Sequence, residues 1–304
     1  MPIHDLGYRA WEGARVPELG RFLAIAATGA RLAWRSRWLR RVFYAAWLPA
    51  VYLSLGLLIY EQALTQGSGQ RAFTDFFAFV PGFPEVTDRH GAWSLVLWAL
   101  FRYPQPVMMV LVAGLIAPPL IAQDVRTRAF LLYFSRPITR LEYLLGKASV
   151  VGGYLLAITA APGLLMYLAA LLLSSDSGAI GQTWDLPFRI LAGSLVLTIP
   201  ATALALCFSS LTSDTRYATF AWFAFWAVGW ITYGLLTTSV GAAASEHWEL
   251  VSLYHTLGRM QGWVFGLKGA SFVKPVLPAA LELAGLTAVS LAVLVRRISS
   301  PMRI

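Results

Sequence analysis

Gly146 and Lys147 stand side by side, as they would in a loop that cradles a nucleotide's phosphates, so they are the first residues to test for chemistry. That loop has the form G-x-x-x-x-G-K-[ST], with backbone amides and the lysine holding the phosphates. Here Ala148 follows the lysine and Leu141 stands where the first glycine belongs, so the pattern fails twice. Any ATP-derived energy must come from another chain. Metal and nucleophilic chemistry fare no better. His4, His90, His247 and His255 fall outside the long apolar runs, and no His or Cys pair has ligand spacing. Serine hydrolysis would lack a histidine partner at membrane depth. Cys207, the one cysteine, lies inside an apolar run and allows no intrachain disulfide.

Glu282 is the one carboxyl inside an apolar run. An ionisable group at membrane depth is costly, which makes it a functional candidate by default. The plainer alternative is a residue near the outer interface, protonated or paired with Arg102 or Arg189. The run at 217–240 carries Trp222, Phe223, Phe225, Trp226, Trp230 and Tyr233. Interface anchoring accounts for most of these. Trp226 and Trp230 join Glu282 as candidate substrate or gating positions.

The densest information lies at 123–147. Asp124 can cap a short helix reaching about Phe134, and Ser135-Arg136-Pro137 stops it, because a residue before proline disfavours the helical region. Thr139 followed by Glu142 forms a capping box, so a new helix starts there and runs through Gly146-Lys147. The result is a helix-turn-helix elbow with Arg126, Arg128, Arg136 and Arg140 on its exposed side and Phe130, Leu131 and Phe134 on its apolar side. A rigid elbow joined to two spans can convert a partner's motion into helix movement. An ordinary amphipathic loop at the lipid headgroups is the competing reading.

The elements that must position this elbow are membrane spans. Of 304 residues, 58% are hydrophobic and 13% charged, against about 25% charged in an ordinary soluble domain. Charge-poor runs at 42–60, 103–122, 148–173, 190–211, 217–240 and 275–295 each approach the roughly 20 residues that cross a bilayer as helix. The expectation is an all-α integral membrane protein with six transmembrane helices.

Most of the 24 basic residues fall on one side of that topology: eight arginines in 1–41, Arg126, Arg128, Arg136, Arg140 and Lys147 in the elbow, then Arg216, Arg296, Arg297 and Arg303. By the positive-inside rule both termini are cytoplasmic. The net charge of +9 is therefore an orientation signal and an attraction to anionic headgroups, and no nucleic-acid partner is expected. Residues 1–41 have no continuous apolar core, so no cleaved leader is expected.

Leu19, Phe22, Leu23, Ala26, Ala30, Ala33 and Trp34 recur at helical spacing, with Ile25 and Leu32 straying from that face. The pattern predicts a helix lying on the cytoplasmic membrane surface. The first outer loop, about 61–102, holds turn signals and an apolar stretch at 92–101. That stretch either extends the second span or lies at the outer interface, with Pro104 and Pro106 favouring a break. Near-helical spacing of Trp248, Val251, Tyr254, Leu257 and Trp263 predicts one or two short helices on the outer surface.

An acidic residue after the second span, a helix, then Ser135-Arg136-Pro137-Ile138-Thr139-Arg140, then aromatic Tyr143 and Gly146-Lys147, resembles the permeases of type-2 ABC exporters. The layout of connecting helix, six spans and small outer helices resembles them too. The resemblance implies that 1–304 is one permease domain and that the elbow is a coupling helix docking into a groove of a separate ATPase. Its coupling residues would be Asp124, Arg126, Arg128, Phe130, Ser135, Arg136, Pro137, Thr139, Arg140 and Glu142. It further implies two permease subunits, identical or different, with two ATPase subunits that bind ATP and Mg, and a bacterial inner membrane. This chain would bind no cofactor. A first outer loop of about 40 residues departs from some members of that family. A non-transporting scaffold or mechanosignalling subunit driven by an ABC ATPase remains the alternative, and an intramembrane enzyme is the weaker third reading.

Overall fold

The computed structural model describes residues 18–77, 88–129, 138–174, 178–240, 248–267 and 275–299. All regular structure among them is helical, and six helical segments are long and apolar enough to cross a membrane. The first span is α2 (Arg37–Ala45) followed by α3 (Leu48–Thr65), and the second is α5 (Arg89–Arg102) followed by α6 (Pro104–Arg126). The third span is α7 (Arg140–Leu173). The fourth joins a short α8 (Ala179–Thr183) to α9 (Leu186–Leu211), and the last two are α10 (Thr215–Val240) and α12 (Leu277–Ser299). Three further helices do not span: α1 (Glu18–Trp34), α4 (Gly69–Phe76) and α11 (Leu253–Val264), the last preceded by a 3-10 turn at Glu249–Val251.

Burial sorts the spans. The apolar windows of the second and fourth are 67% and 72% buried, whereas those of the first, fifth and sixth are only 22%, 11% and 22% buried. The centre of the bundle is thus α6 against α9, with α7 beside both and α12 on the outer side of α9. The uncovered windows are apolar, as lipid-facing helices must be.

The structure decides one open reading and changes two expectations. Every residue from Ala92 to Phe101 is buried, so α5 extends the second span inside the bundle, broken from α6 at Tyr103 where Pro104 opens the next helix. A helix lying at an interface would need one wet face, and this stretch has only Ser94 to offer. The first outer loop is partly folded: Gly67, at φ 70°, reverses the chain after α3, and α4 returns along it. Phe76 stacks on Tyr52 at 5.3 Å and Phe73 meets Tyr60 at 5.4 Å. Finally, α11 does not lie on a surface. Leu253, Thr256, Leu257, Gly258, Met260, Gln261, Gly262 and Val264 are all buried, wedged against α5, α9, α10 and α12.

The amphipathic helix is corrected as well. Phe22, Ile25, Ala26, Gly29, Ala30, Ala33 and Trp34 form the less exposed side of α1, and Leu23 and Leu32 point outward at 56% and 60% exposure. Ile25, which had strayed from the expected face, is central to it. That face packs along the first half of α7. The Tyr154 hydroxyl donates to the Ala30 carbonyl at 2.9 Å and its ring stacks with Trp34. Gly146 permits the approach, because a Cβ there would stand 2.8 Å from Ile25 and 3.1 Å from the Phe22 carbonyl oxygen. Gly146→Val should separate α1 from α7 and cost about 1–3 kcal/mol, as overpacking does. A lower Tm together with protease sensitivity appearing in 18–34 would show it, and an unchanged cleavage pattern would count against this contact.

Candidate functional site

The elbow begins inside α6, at two consecutive prolines. Pro118 and Pro119 have no N–H to donate, so the Gly114 and Leu115 carbonyls four residues back lose their usual helical donors although the helix itself runs on. Ser209 of α9 braces the turn that follows. Its hydroxyl donates to the Pro118 carbonyl at 2.8 Å and accepts from the amides of Ile121 and Ala122, both at 3.1 Å. Ser209 is fully buried, so no water competes for these groups. A helix interrupted by proline and repaired by a side chain is a natural place to bend.

Two turns further on, α6 ends in a Schellman arrangement. The Ala129 amide donates to the Asp124 carbonyl and the Arg128 amide to the Val125 carbonyl. The position that usually holds glycine is Arg128, at φ 54°. An arginine in the left-handed region costs about 1–2 kcal/mol, so the chain keeps an exposed guanidinium at a point where glycine would be easier. Asp124 therefore lies within the last turns of α6 and caps no new helix, contrary to its expected role. The continuous α6 ladder leaves the Asp124 side chain free to turn inward.

On the other limb, α7 starts at the expected capping box. The Glu142 amide donates to Thr139 Oγ1 at 3.2 Å and the Thr139 amide to Glu142 Oε2 at 2.6 Å. One turn later Tyr143 and Lys147, four residues apart on one face, reach back to α6. The Tyr143 hydroxyl donates to Asp124 Oδ2 at 2.7 Å. Lys147 Nζ stands 2.7 Å from the same oxygen and donates to the Leu120 carbonyl, also at 2.7 Å. Tyr143 is fully buried, and the Asp124 and Lys147 side chains are only 14% and 11% exposed. A charge-assisted, water-poor cluster of this kind ties the two limbs into one rigid unit.

Arg126, Arg128, Thr139 and Arg140 stay exposed around this latch. Phe130, Ser135, Arg136 and Pro137 lie outside the described residues. Exposed cationic side chains thus surround a buried cluster that joins the end of α6 to the start of α7. Tyr143, Lys147, Ser209 and the proline pair were not among the expected site residues. The four-residue spacing of Tyr143 and Lys147 and a Pro-Pro break in an apolar run were the available signals.

A family model described as ABC-2 family transporter protein matches residues 23–261. The chain belongs to the ABC-2 transporter family. No curated protein gives a significant match. The match runs from within α1 to within α11 and so contains five spans and the elbow. As an ABC-2 protein the chain is a multi-pass membrane permease component of ABC transport and not itself an ATPase; family members generally work with ABC ATPases.

The expected substrate or gating residues of this ABC-2 chain lie on two spans, Trp226 and Trp230 on α10 and Glu282 on α12. Glu282 accepts from Thr256 of α11 at 2.9 Å and pairs with neither Arg102 nor Arg189. Arg102 covers the Tyr254 ring at 4.5 Å, and Arg189 pairs with Asp185 at 2.5 Å and donates to the Val264 carbonyl. Trp226 is buried, edge-on to Trp222 at 5.6 Å, while Trp230 is 61% exposed. Among the described residues no cluster of His, Cys, Asp and Glu has the makings of a metal site.

Proposed function

We propose that this chain is the membrane-spanning permease subunit of an ABC exporter, and that its 124–147 elbow receives the motion of a separate ATPase. The observation carrying this reading is the Asp124–Tyr143–Lys147 latch, which makes α6 and α7 respond as one body to a load applied at the elbow. In this scheme two ATPases close on ATP and Mg, push the elbows of two paired permease subunits, and open a path between the subunits. The Pro118–Ser209 junction lets α6 bend as the load rises. The arginine-rich end faces the cytoplasm of a bacterial inner membrane, as the positive-inside rule implies.

The test is co-purification with a candidate ABC ATPase expressed together with this chain. Arg126→Glu with Arg140→Glu should lower the chain's stimulation of that ATPase by about tenfold or more, as reversing interfacial charge does, and should loosen the complex while the permease still elutes normally. An intact complex with full stimulation would place docking elsewhere. Reconstituted vesicles then distinguish export from scaffolding, since a scaffold moves no candidate substrate on addition of ATP.

A further inference from the structure

Residues 19–60 contain six arginines and no aspartate or glutamate. Five of the six, Arg31, Arg35, Arg37, Arg40 and Arg41, gather at one corner, where α1 ends and Ser36 caps α2 through the Leu39 amide. All five are exposed. Among the described residues none of them is ion-paired. Five like charges within residues 31–41 repel one another, so a counter-charge from outside the chain is favoured there.

The surroundings say where that counter-charge comes from. Trp38, 61% exposed, lies under the Arg41 guanidinium at 5.2 Å, and Tyr44 is 62% exposed further along α2. Tryptophan and tyrosine at the start of a span favour the headgroup level of a bilayer. Leu32, at 60% exposure, precedes the corner, and Leu48 and Val51, at 66% and 65%, follow it. A soluble anion would meet the arginines but would leave this apolar rim uncovered. A phospholipid satisfies both, with acyl chains on the leucines and valine and phosphate oxygens in the guanidinium forks.

We infer that the α1–α2 corner is a binding site for the phosphate of an acidic phospholipid. The full-length chain, purified in nonionic detergent, is titrated with phosphatidylglycerol or phosphatidylcholine, and retained lipid is counted by native mass spectrometry. Wild type should retain phosphatidylglycerol about tenfold better. Arg37→Gln with Arg40→Gln should bring the two lipids near parity, since each arginine near the surface is worth about fivefold. Arg216→Gln with Arg296→Gln removes the same charge from exposed positions on α10 and α12 and should leave the preference intact. A preference that survives the corner pair, or falls equally in the control pair, overturns the site. Inorganic phosphate or a single-stranded oligonucleotide should displace little phosphatidylglycerol; complete displacement would make the corner a general anion trap and sink the lipid assignment. If the glutamine pair aggregates, Arg37→Lys with Arg40→Lys replaces it. With charge kept and the fork lost, the preference should fall severalfold, and no fall would refute the arginine geometry.

Discussion

Lys147→Ala should destabilise the chain by about 2–4 kcal/mol and, under the proposed coupling role, abolish its stimulation of a partner ATPase. The magnitude follows from what the substitution leaves behind. Asp124, at 14% side-chain exposure, would keep only the Tyr143 hydroxyl, and the Leu120 carbonyl would lose the ammonium that it now accepts from. Removing one partner of a largely buried ion pair strands the other, which costs about 3–5 kcal/mol when burial is complete and less here. Tyr143→Phe removes one hydrogen bond and keeps the ring, so about 1 kcal/mol is expected. The decisive comparison is a double-mutant cycle. Asp124→Asn with Lys147→Met should cost less than the sum of the single changes by about 0.5–3 kcal/mol. Thermal unfolding in detergent and ATP turnover report the two effects separately. Strictly additive losses would mean that the latch is two independent contacts and could not transmit load as one body.

Ser209→Ala carries the second large effect, about 1–3 kcal/mol, because one hydroxyl serves three buried backbone groups. The Ile121 and Ala122 amides and the Pro118 carbonyl would all lose this hydroxyl in a region without water. Hydrogen exchange at Ile121 and Ala122 should accelerate ahead of the rest of α6. Replacing Pro118 and Pro119 with alanine gives the Gly114 and Leu115 carbonyls their donors and removes the ring clash that bends this turn. In that background Ser209→Ala should cost well under 1 kcal/mol. Equal cost in both backgrounds would show that Ser209 contributes packing and does not support a bend.

The elbow shows where sequence reading reaches and where it stops. The capping box of Thr139 and Glu142 was legible because both partners lie within one helical turn. Asp124 was misassigned as a cap because its partners, Tyr143 and Lys147, are 19 and 23 residues away across the bend. The same reason explains Glu282, whose expected arginine partners are held by Tyr254 and Asp185 while Thr256 of α11 reaches its carboxylate. Burial of α11 and α5 was also hidden. Apolar periodicity tells which side of a helix avoids water, but in a membrane lipid and protein are equally apolar, so the pattern does not separate them.

The sequence by itself determined that this chain is helical, has about six segments able to cross a membrane and lacks a phosphate loop of its own. Each of these depends on composition or on spacing within a single helix, where backbone hydrogen bonding must be satisfied locally. The tertiary structure decided which spans form the core, that Ser209 closes the break in α6, that α1 packs on α7 through Gly146, and that Asp124, Tyr143 and Lys147 form one latch. These depend on side chains meeting across helices, and residues far apart in the chain become partners only when packing has set the rotation and register of each helix.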